Sequence, residues 1–470
     1  MDIITLFGAV RVYNYPMKLY NSLSRKIEEF EPLNPPHVGM YTCGPTVYER
    51  MHIGNLRTFL LSDILFRVLQ SNDYQVKAVQ NITDIDDKII KKAKETNSSI
   101  EETTSKFIDL FVSDVNELNM SSSRGKQPKA TEHIEEIINF IKTLIDRKFA
   151  YEKDGSVYFD ISKFPDYGRL SQIDKAKLKT GVRISLDEYS KDDVQDFALW
   201  KATPDEEEKY TFGSPWSRGR PGWHIECSVM SIKSLGETID VHIGGSDLIF
   251  PHHENEIAQS EAKTGKKFVN YFVHGEHILI DGKKMSKSLN NFYTLDDVKK
   301  RSIDPLALRF LYLQTHYRKQ MNFTWESLAA AGVAYQNLKD MVLSLKQQGD
   351  RTNLSEEKLE KVEDYKKQFS EALGNDLQAP QAIAVLWDMI KSNIPSQDKL
   401  DLLLDFDQVL GLNLGNIEEE ELPSHILDLQ NEINNARTKK DFQLSDKLRK
   451  DVERQGYRVQ DTPSGTVVKK

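Results

Sequence analysis

An α/β fold is predicted for this chain: a doubly wound parallel sheet broken by an insertion, then an α-helical bundle, then a small C-terminal module. Three observations support it. A strand–helix–strand run begins at His37, a glycine-ended strand followed by a helix start returns after residue 216, and helical periodicity alone continues from Asp304.

The first run opens with HVGMYTC, His37 to Cys43, an apolar stretch of the length of a buried strand. Gly44-Pro45 reads as a turn. Leu56 to Gln70 then places Leu56, Phe59, Leu60, Ile64 and Val68 on one helical face, and QVKAVQNIT reads as a second strand ending at Thr83. Two short strands joined through a helix imply a right-handed parallel crossover, the unit of a Rossmann-type sheet. Ligands of such sheets sit at the carboxyl ends of the strands, where Cys43, Thr83 and Gly244-Gly245 all fall.

Between strand and helix, MHIGN puts His52, Gly54 and Asn55 at a helix N-terminus, where backbone N–H groups and the helix dipole suit phosphate. After Thr83, DIDDKIIKKAKE reads as a helix opened by acids. Asp84, Asp86 and Asp87 are expected to cap it and face solvent rather than hold a metal. Asn119 to Thr131 is rich in Ser, Gly and Pro and is expected to be an exposed connection. A helix around Glu132 to Phe149 follows, then a hairpin turning at Asp154-Gly155 between AYEK and SVYFDI. These form the insertion, which rejoins the sheet near Trp216. DDVQDFALWK, just before that return, carries no chemistry that can be named.

Pro221 to Gln259 holds one of only two cysteines, Cys227, and four of the eleven histidines, His224, His242, His252 and His253. A strand-like run ends at Gly244-Gly245 and a helix starts near Pro251, so His252 and Glu256 share a helical face at i,i+4. Thiolate, imidazole and carboxylate in one compact unit suit zinc, with a position open unless Cys43 supplies a fourth ligand. The competing reading is a small buried hydrophobe at Cys227 and surface histidines beside it. Beyond it, FVNYFVHGEHILIDG gives two short strands. KKMSKSLNN, Lys283 to Asn291, reads as a polar, mobile, cationic loop, either an ordinary basic surface or one suited to close over a polyphosphate.

From Asp304 the pattern is helical. Leu328, Ala331, Tyr335, Leu338, Val342 and Leu345 form one stripe, and a later helix is opened by Ser355, buries Leu359, Val362, Phe369 and Leu373, and stops at Gly374. Such stripes are bundle core. Acidic IEEEEL marks a linker, after which a helix through Arg449 and the strand-like ends GYRVQ and GTVVKK form the terminal module.

The 470 residues, 39% hydrophobic and 29% charged, describe a soluble chain of about three or more domains. No run approaches ~18 apolar residues, and MDIITLFGAVRVYNYPM lacks the basic start and apolar core of a signal peptide, so a cytoplasmic protein without membrane contact is expected. Two cysteines make no disulfide framework. A net charge of −9 argues against indiscriminate DNA binding. A local basic patch remains at the C-terminal end, where residues 437–470 carry ten Lys/Arg against five Asp/Glu.

HIGN and KMSKS on such a sheet, followed by a bundle, resemble the class I aminoacyl-tRNA synthetases. CGPTVYERMHIGN, NITDIDDKI, DFALWK, RPGWHIECS, GGSDLIFPHHENEIAQ, KMSKSLNNF and DTPSGT narrow the resemblance, over nearly the whole chain, to the cysteinyl-tRNA synthetase family. The resemblance implies activation of L-cysteine with Mg-ATP and transfer to the terminal ribose of tRNA(Cys), by a monomer. It implies one zinc ion held by Cys43, Cys227, His252 and Glu256, with His253 the competing choice. It assigns ATP to His52, Gly54 and Asn55, pyrophosphate charge to Lys287 with Lys284, and the amino acid to Trp223, Thr83, Gly44 and Asp247. Asn55 departs from the motif's usual second histidine, so a proton-carrying role there is not expected. The implied division is 1–131 and 216–265 for the two catalytic halves, 132–215 for a connective insertion, 266–320 for the KMSKS-bearing stem-contact region, 321–416 for the tRNA-binding bundle and 417–470 for the anticodon-binding module. Ligases that join cysteine to an amino sugar, as in mycothiol biosynthesis, resemble the catalytic half alone; the bundle and terminal module favour the tRNA reading.

Overall fold

The structure is a computed structural model and describes residues 16–173, 178–182, 194–203, 209–348, 354–418, 422–462 and 465–469. The first fifteen residues, most of the acidic run in IEEEEL, Asp192-Asp193 and Pro463-Ser464 of DTPSGT lie outside these, and the expectations placed on them with them.

Four parallel strands form the central sheet: β1 (His37–Thr42), β2 (Gln75–Gln80), β3 (Ile239–Gly245) and β4 (Val269–Gly275), in the spatial order β4-β3-β1-β2. Every residue of β3 is buried, as expected of a central parallel strand covered on both faces. Helix α1 (Ile53–Ser71) makes the β1–β2 crossover, and helices α2 (Trp223–Leu235) and α3 (His252–Thr264) flank β3 in sequence. The predicted doubly wound sheet is thus present.

The second strand stops at Gln80 rather than Thr83. Asn81 to Thr83 instead leave the sheet and zip onto the segment after β1: the Thr83 N–H donates to the Pro45 carbonyl and the Val47 N–H to the Thr83 carbonyl. The connection expected to be exposed, Asn119 to Thr131, is seated along the free edge of β2. Gln80 N–H donates to the Lys126 carbonyl at 2.9 Å and Ile82 N–H to the Pro128 carbonyl at 2.9 Å, while Met120 and Ala130 are fully buried. An uncovered strand edge leaves backbone groups unpaired, and this segment satisfies them. Asp86 caps its helix as expected, accepting from Ile89 N–H. Asp84, by contrast, is buried and holds the Thr131 backbone and hydroxyl, and Asp87 pairs with Arg220 and Lys201.

In the insertion, Ala150–Lys153 and Ser156–Phe159 pair antiparallel about Asp154-Gly155, both at positive φ, as the two-residue turn requires. Val194–Ala202, the DFALWK segment, joins this sheet and buries Phe197, Leu199 and Trp200. Helix Trp325–Gln347 buries all six predicted stripe residues. Helix Glu356–Gly374 stops at Gly374 as expected and buries Val362, Phe369 and Leu373, but Leu359 is half exposed, at 50%. The single terminal helix through Arg449 is two, Ser424–Thr438 and Phe442–Arg454, separated where Lys440 adopts φ 60° and Asp441 begins the second as its N-cap. Arg458–Thr462 and Gly465–Lys469 complete the module as an antiparallel pair. No helix among the described residues is long and apolar enough to cross a membrane.

Candidate active site

At the carboxyl edge of the sheet, the two cysteines meet across 184 positions of sequence. Cys43 leaves β1, Cys227 points from α2, and their sulfurs stand 4.0 Å apart in a buried setting. Helix α3 delivers His252 and Glu256 to the same point: one helical turn separates them, and His252 Nε2 lies 3.0 Å from Glu256 Oε1. Glu256 Oε1 is 3.7 Å from Cys43 Sγ. Two metal–sulfur bonds of about 2.3 Å at a tetrahedral angle span about 3.8 Å, so the sulfur pair fits one ion. The ligand atoms of Cys43, Cys227, His252 and Glu256 all lie within 4.8 Å of one another, and the donor set suits a metal.

A second set, Cys43, His242, His253 and Glu256, meets the same limit and shares two members. His253 Nε2 is 3.3 Å from Cys43 Sγ, and its other ring nitrogen meets His274, which in turn meets the Ser22 hydroxyl at 2.8 Å. His242 Nε2 meets Glu256 Oε2 at 2.9 Å. The two neighbouring histidines differ in what surrounds them. Burial pulls the His252 imidazole down, yet the adjacent Cys227 and Glu256 outweigh it and lift it to about 10. Burial and the surrounding imidazoles drive His253 well below its ordinary value. Burial acts upward on Cys227 and Glu256 as well, but the Cys43 hydrogen bond brings the thiol to about 6, and His242 and His252 bring the carboxyl to about 2. Thiolate and carboxylate therefore gather about His252, where a cation is attracted, while His253 is held uncharged by burial and the imidazoles around it.

Trp223, the first residue of α2, lies against His252 with ring centres 4.4 Å apart, and so walls the cluster. Thr83 reaches the same region from the β2 end, where its hydroxyl donates to the buried Glu226. Gly44 follows Cys43, and its N–H donates to Asn81 Oδ1 at 2.8 Å. A Cβ there would overlap the Asn81 carbonyl, which is why the turn takes glycine.

The other motif residues assemble beside this cluster. His52 is the N-cap of α1: its Nδ1 accepts the Asn55 N–H at 3.0 Å while Asn55 Oδ1 accepts the His52 N–H at 3.3 Å. Burial holds His52 below its ordinary value, so the ring is neutral, and with Nδ1 accepting, its proton is on Nε2. A Cβ at Gly54 would stand 2.9 Å from the His52 ring. Ile53 N–H donates to the Tyr293 carbonyl at 2.9 Å, and Phe292 meets His52 edge-on, so the segment just after KMSKS is laid against HIGN. Lys287 pairs with Glu49, and Lys284 is exposed. The loop expected to be mobile carries its own order, with Ser286 N–H donating to Asn291 Oδ1 and Asn291 Nδ2 to the Lys284 carbonyl. Asp247 is exposed past the end of β3, and its charge acts on His52. The structure thus brings Cys43, Cys227, His252, Glu256, Trp223, Thr83 and Gly44 into one cluster, and His52, Gly54, Asn55, Lys287 and Asp247 into an adjoining one.

Glu226, His274 and Tyr41, whose ring meets His242 edge-on at 5.2 Å, were not singled out by sequence. His274 carried a usable signal, a histidine inside the apolar strand FVNYFVHG, where a buried polar group needs a partner. Tyr41 had none, since its apolar setting in β1 reads as ordinary core.

In fold the chain is similar to tRNA synthetases of known structure. It resembles a Mycobacterium tuberculosis methionyl-tRNA synthetase bound by methionyl-adenylate, with a TM-score of 0.58 at 13% identity over 87% of this chain and 95% of that one. A structure described as a putative arginyl-tRNA synthetase from Campylobacter jejuni gives 0.51 at 14% identity, covering 83% and 94%. Residues 29–332 match the family described as tRNA synthetases class I (C) catalytic domain, and the chain belongs to that family. Among its relatives, the cysteine–tRNA ligase of Brachyspira hyodysenteriae is 42% identical over 95% of this chain and 98% of its own, and that of Protochlamydia amoebophila 41% identical over 97% and 98%.

Proposed function

We propose that this protein is an ATP-dependent cysteine–tRNA ligase, which forms cysteinyl adenylate and transfers the cysteinyl group to the terminal ribose of tRNA(Cys). The observation that carries the reading is the buried cluster of two thiols, an imidazole and a carboxylate at the sheet's carboxyl edge, walled by Trp223 and adjoining the HIGN and KMSKS segments. Zinc is the metal this donor set suits, held by Cys43, Cys227, His252 and Glu256. When bound it supplies a Lewis acid with affinity for the substrate thiolate that serine's hydroxyl cannot match.

The chain's own groups account for the rest. The amino acid's carboxylate attacks the α-phosphorus of Mg-ATP and pyrophosphate leaves. The His52 Nε2–H and the Asn55 amide donate to phosphate, backbone N–H groups near Gly54 assist, and Lys287, released from Glu49, offsets charge on the departing pyrophosphate with Lys284 in support. The 2′-hydroxyl of the terminal ribose then attacks the adenylate carbonyl and AMP leaves. Thr83, Gly44 and Asp247 serve the polar end of the amino acid. No covalent enzyme intermediate is needed. The bundle of residues 321–416 and the module of 417–470 receive the tRNA, residues 266–320 contact its stem, and the protein acts as a cytoplasmic monomer. The insertion of residues 132–215 divides the catalytic halves, 1–131 and 216–265.

Charging of tRNA with labelled cysteine tests the reading. Formation of cysteinyl-tRNA with metal-loaded protein is the expected result; consumption of an amino-sugar acceptor with no charging would place the chain among the amino-sugar ligases instead.

A further inference from the structure

One buried acid near the amino-acid pocket has no part in the reaction as described. Glu226 lies one helical turn after Trp223 and next to Cys227, and is 1% exposed. Successive helical residues diverge by about 100°, so Cys227 turns to the thiol cluster while Glu226 turns to the end of β2. There its Oε1 accepts the Thr83 hydroxyl; burial and the adjacent Cys227 push the carboxyl well above its ordinary value, and an uncharged carboxyl keeps a carbonyl oxygen that accepts. Asn81 Nδ2 donates to Thr83 Oγ1 at 3.2 Å, and Gly44 N–H donates to Asn81 Oδ1 at 2.8 Å. A continuous buried relay therefore runs from Gly44 through Asn81 and Thr83 to Glu226, joining the ends of β1 and β2 to α2. Asn81 and Thr83 are 1% and 2% exposed, so water does not compete for these bonds.

The relay has a direction. A hydroxyl has one proton and two lone pairs. With its proton given to Glu226 and one lone pair taken by Asn81, Thr83 has only a lone pair to offer, and so can bind a donor but not an acceptor. An amino acid presents such a donor in its α-ammonium.

We propose that Glu226 is a positioning residue of the amino-acid pocket: it orients Thr83 as an acceptor for the substrate α-ammonium and, through Asn81, holds the Gly44 turn that follows Cys43. This rests on the reading of the chain as a cysteine-activating ligase. Glu226 touches neither the metal ligand atoms nor the reacting atoms in this scheme. Its removal therefore acts on recognition of the ammonium, not on metal retention or ATP.

The test is cysteine-dependent ATP–pyrophosphate exchange by the metal-loaded full chain and its Glu226→Gln variant, whose amide can donate to Thr83 and reverse the hydroxyl. The expected result is a KM for cysteine raised about tenfold, the scale of one hydrogen bond to a charged group, with KM for ATP and metal content unchanged. Inhibition by 3-mercaptopropionate, which has the thiol and carboxylate but no ammonium, is expected to be equal in both proteins. Thr83→Val must give the same split, and the double variant must be no worse than Thr83→Val alone. An unchanged KM for cysteine, an equal loss of 3-mercaptopropionate binding, or loss of the metal overturns the proposal. Wild-type protein that shows no exchange with cysteine overturns the ligase reading beneath it.

Discussion

Cys227 and Lys287 divide the residue-scale chemistry between them. Cys227→Ser replaces a soft thiolate by a hydroxyl and should remove both the metal, by elemental analysis, and cysteine-dependent exchange. Lys287→Ala should keep the metal and lower the exchange rate by about 10² to 10³, as removal of a charge-stabilising donor does. His274 governs an acid limb of stability. Burial among other rings holds it neutral, at about 3 against an ordinary 6.5, so its stabilising contribution is complete above pH 6.5 and drains away as pH falls from there towards 3. Unfolding followed between pH 7 and 4 should show this loss, and His274→Asn should flatten the slope. Chemistry at this scale was legible wherever rare residue types clustered in sequence: two cysteines and a run of histidines mark themselves. Glu226 was not legible, because an acid in the first turn of a helix ordinarily reads as a dipole partner.

Among elements, helix periodicity proved the most dependable signal. Leu338 and Leu359 were both expected in the core, yet Leu338 is fully buried and Leu359 half exposed, at 50%. Leu338→Ala should cost about 2–5 kcal/mol in urea unfolding, and Leu359→Ala no more than about 0.5 kcal/mol. The apolar period includes Leu359, but the buried part of this helix starts only at Val362 and continues through Phe369 and Leu373, so its first turn stands clear of the core. The connection Asn119 to Thr131 shows the opposite failure. Ser, Gly and Pro mark the absence of regular structure, but not exposure, and here an irregular segment covers the edge of β2 because that edge needs hydrogen-bond partners.

For the whole molecule, one buried charge cluster ties the sheet to the bundle. Arg309 is fully buried and donates to Asp63 of α1, to the Leu118 carbonyl, and to the Leu410 carbonyl at the end of a bundle helix. Asp63→Ala would remove the ion-pair partner of this guanidinium and should cost about 3–5 kcal/mol. Because the cluster spans both regions, fluorescence and circular dichroism should report the loss in a single shared transition; separate transitions would show that the regions are held together elsewhere. By itself the sequence determined the parallel sheet, the bundle stripe, and the residue types that act, because periodicity and rare side chains are local properties of a chain. Only the tertiary structure decided which groups meet: Cys43 beside Cys227, Phe292 on His52, Glu226 beneath Thr83. Those meetings depend on strand order and on the angle of each helix against the sheet, and these follow from packing the whole core at once, not from any one stretch of residues.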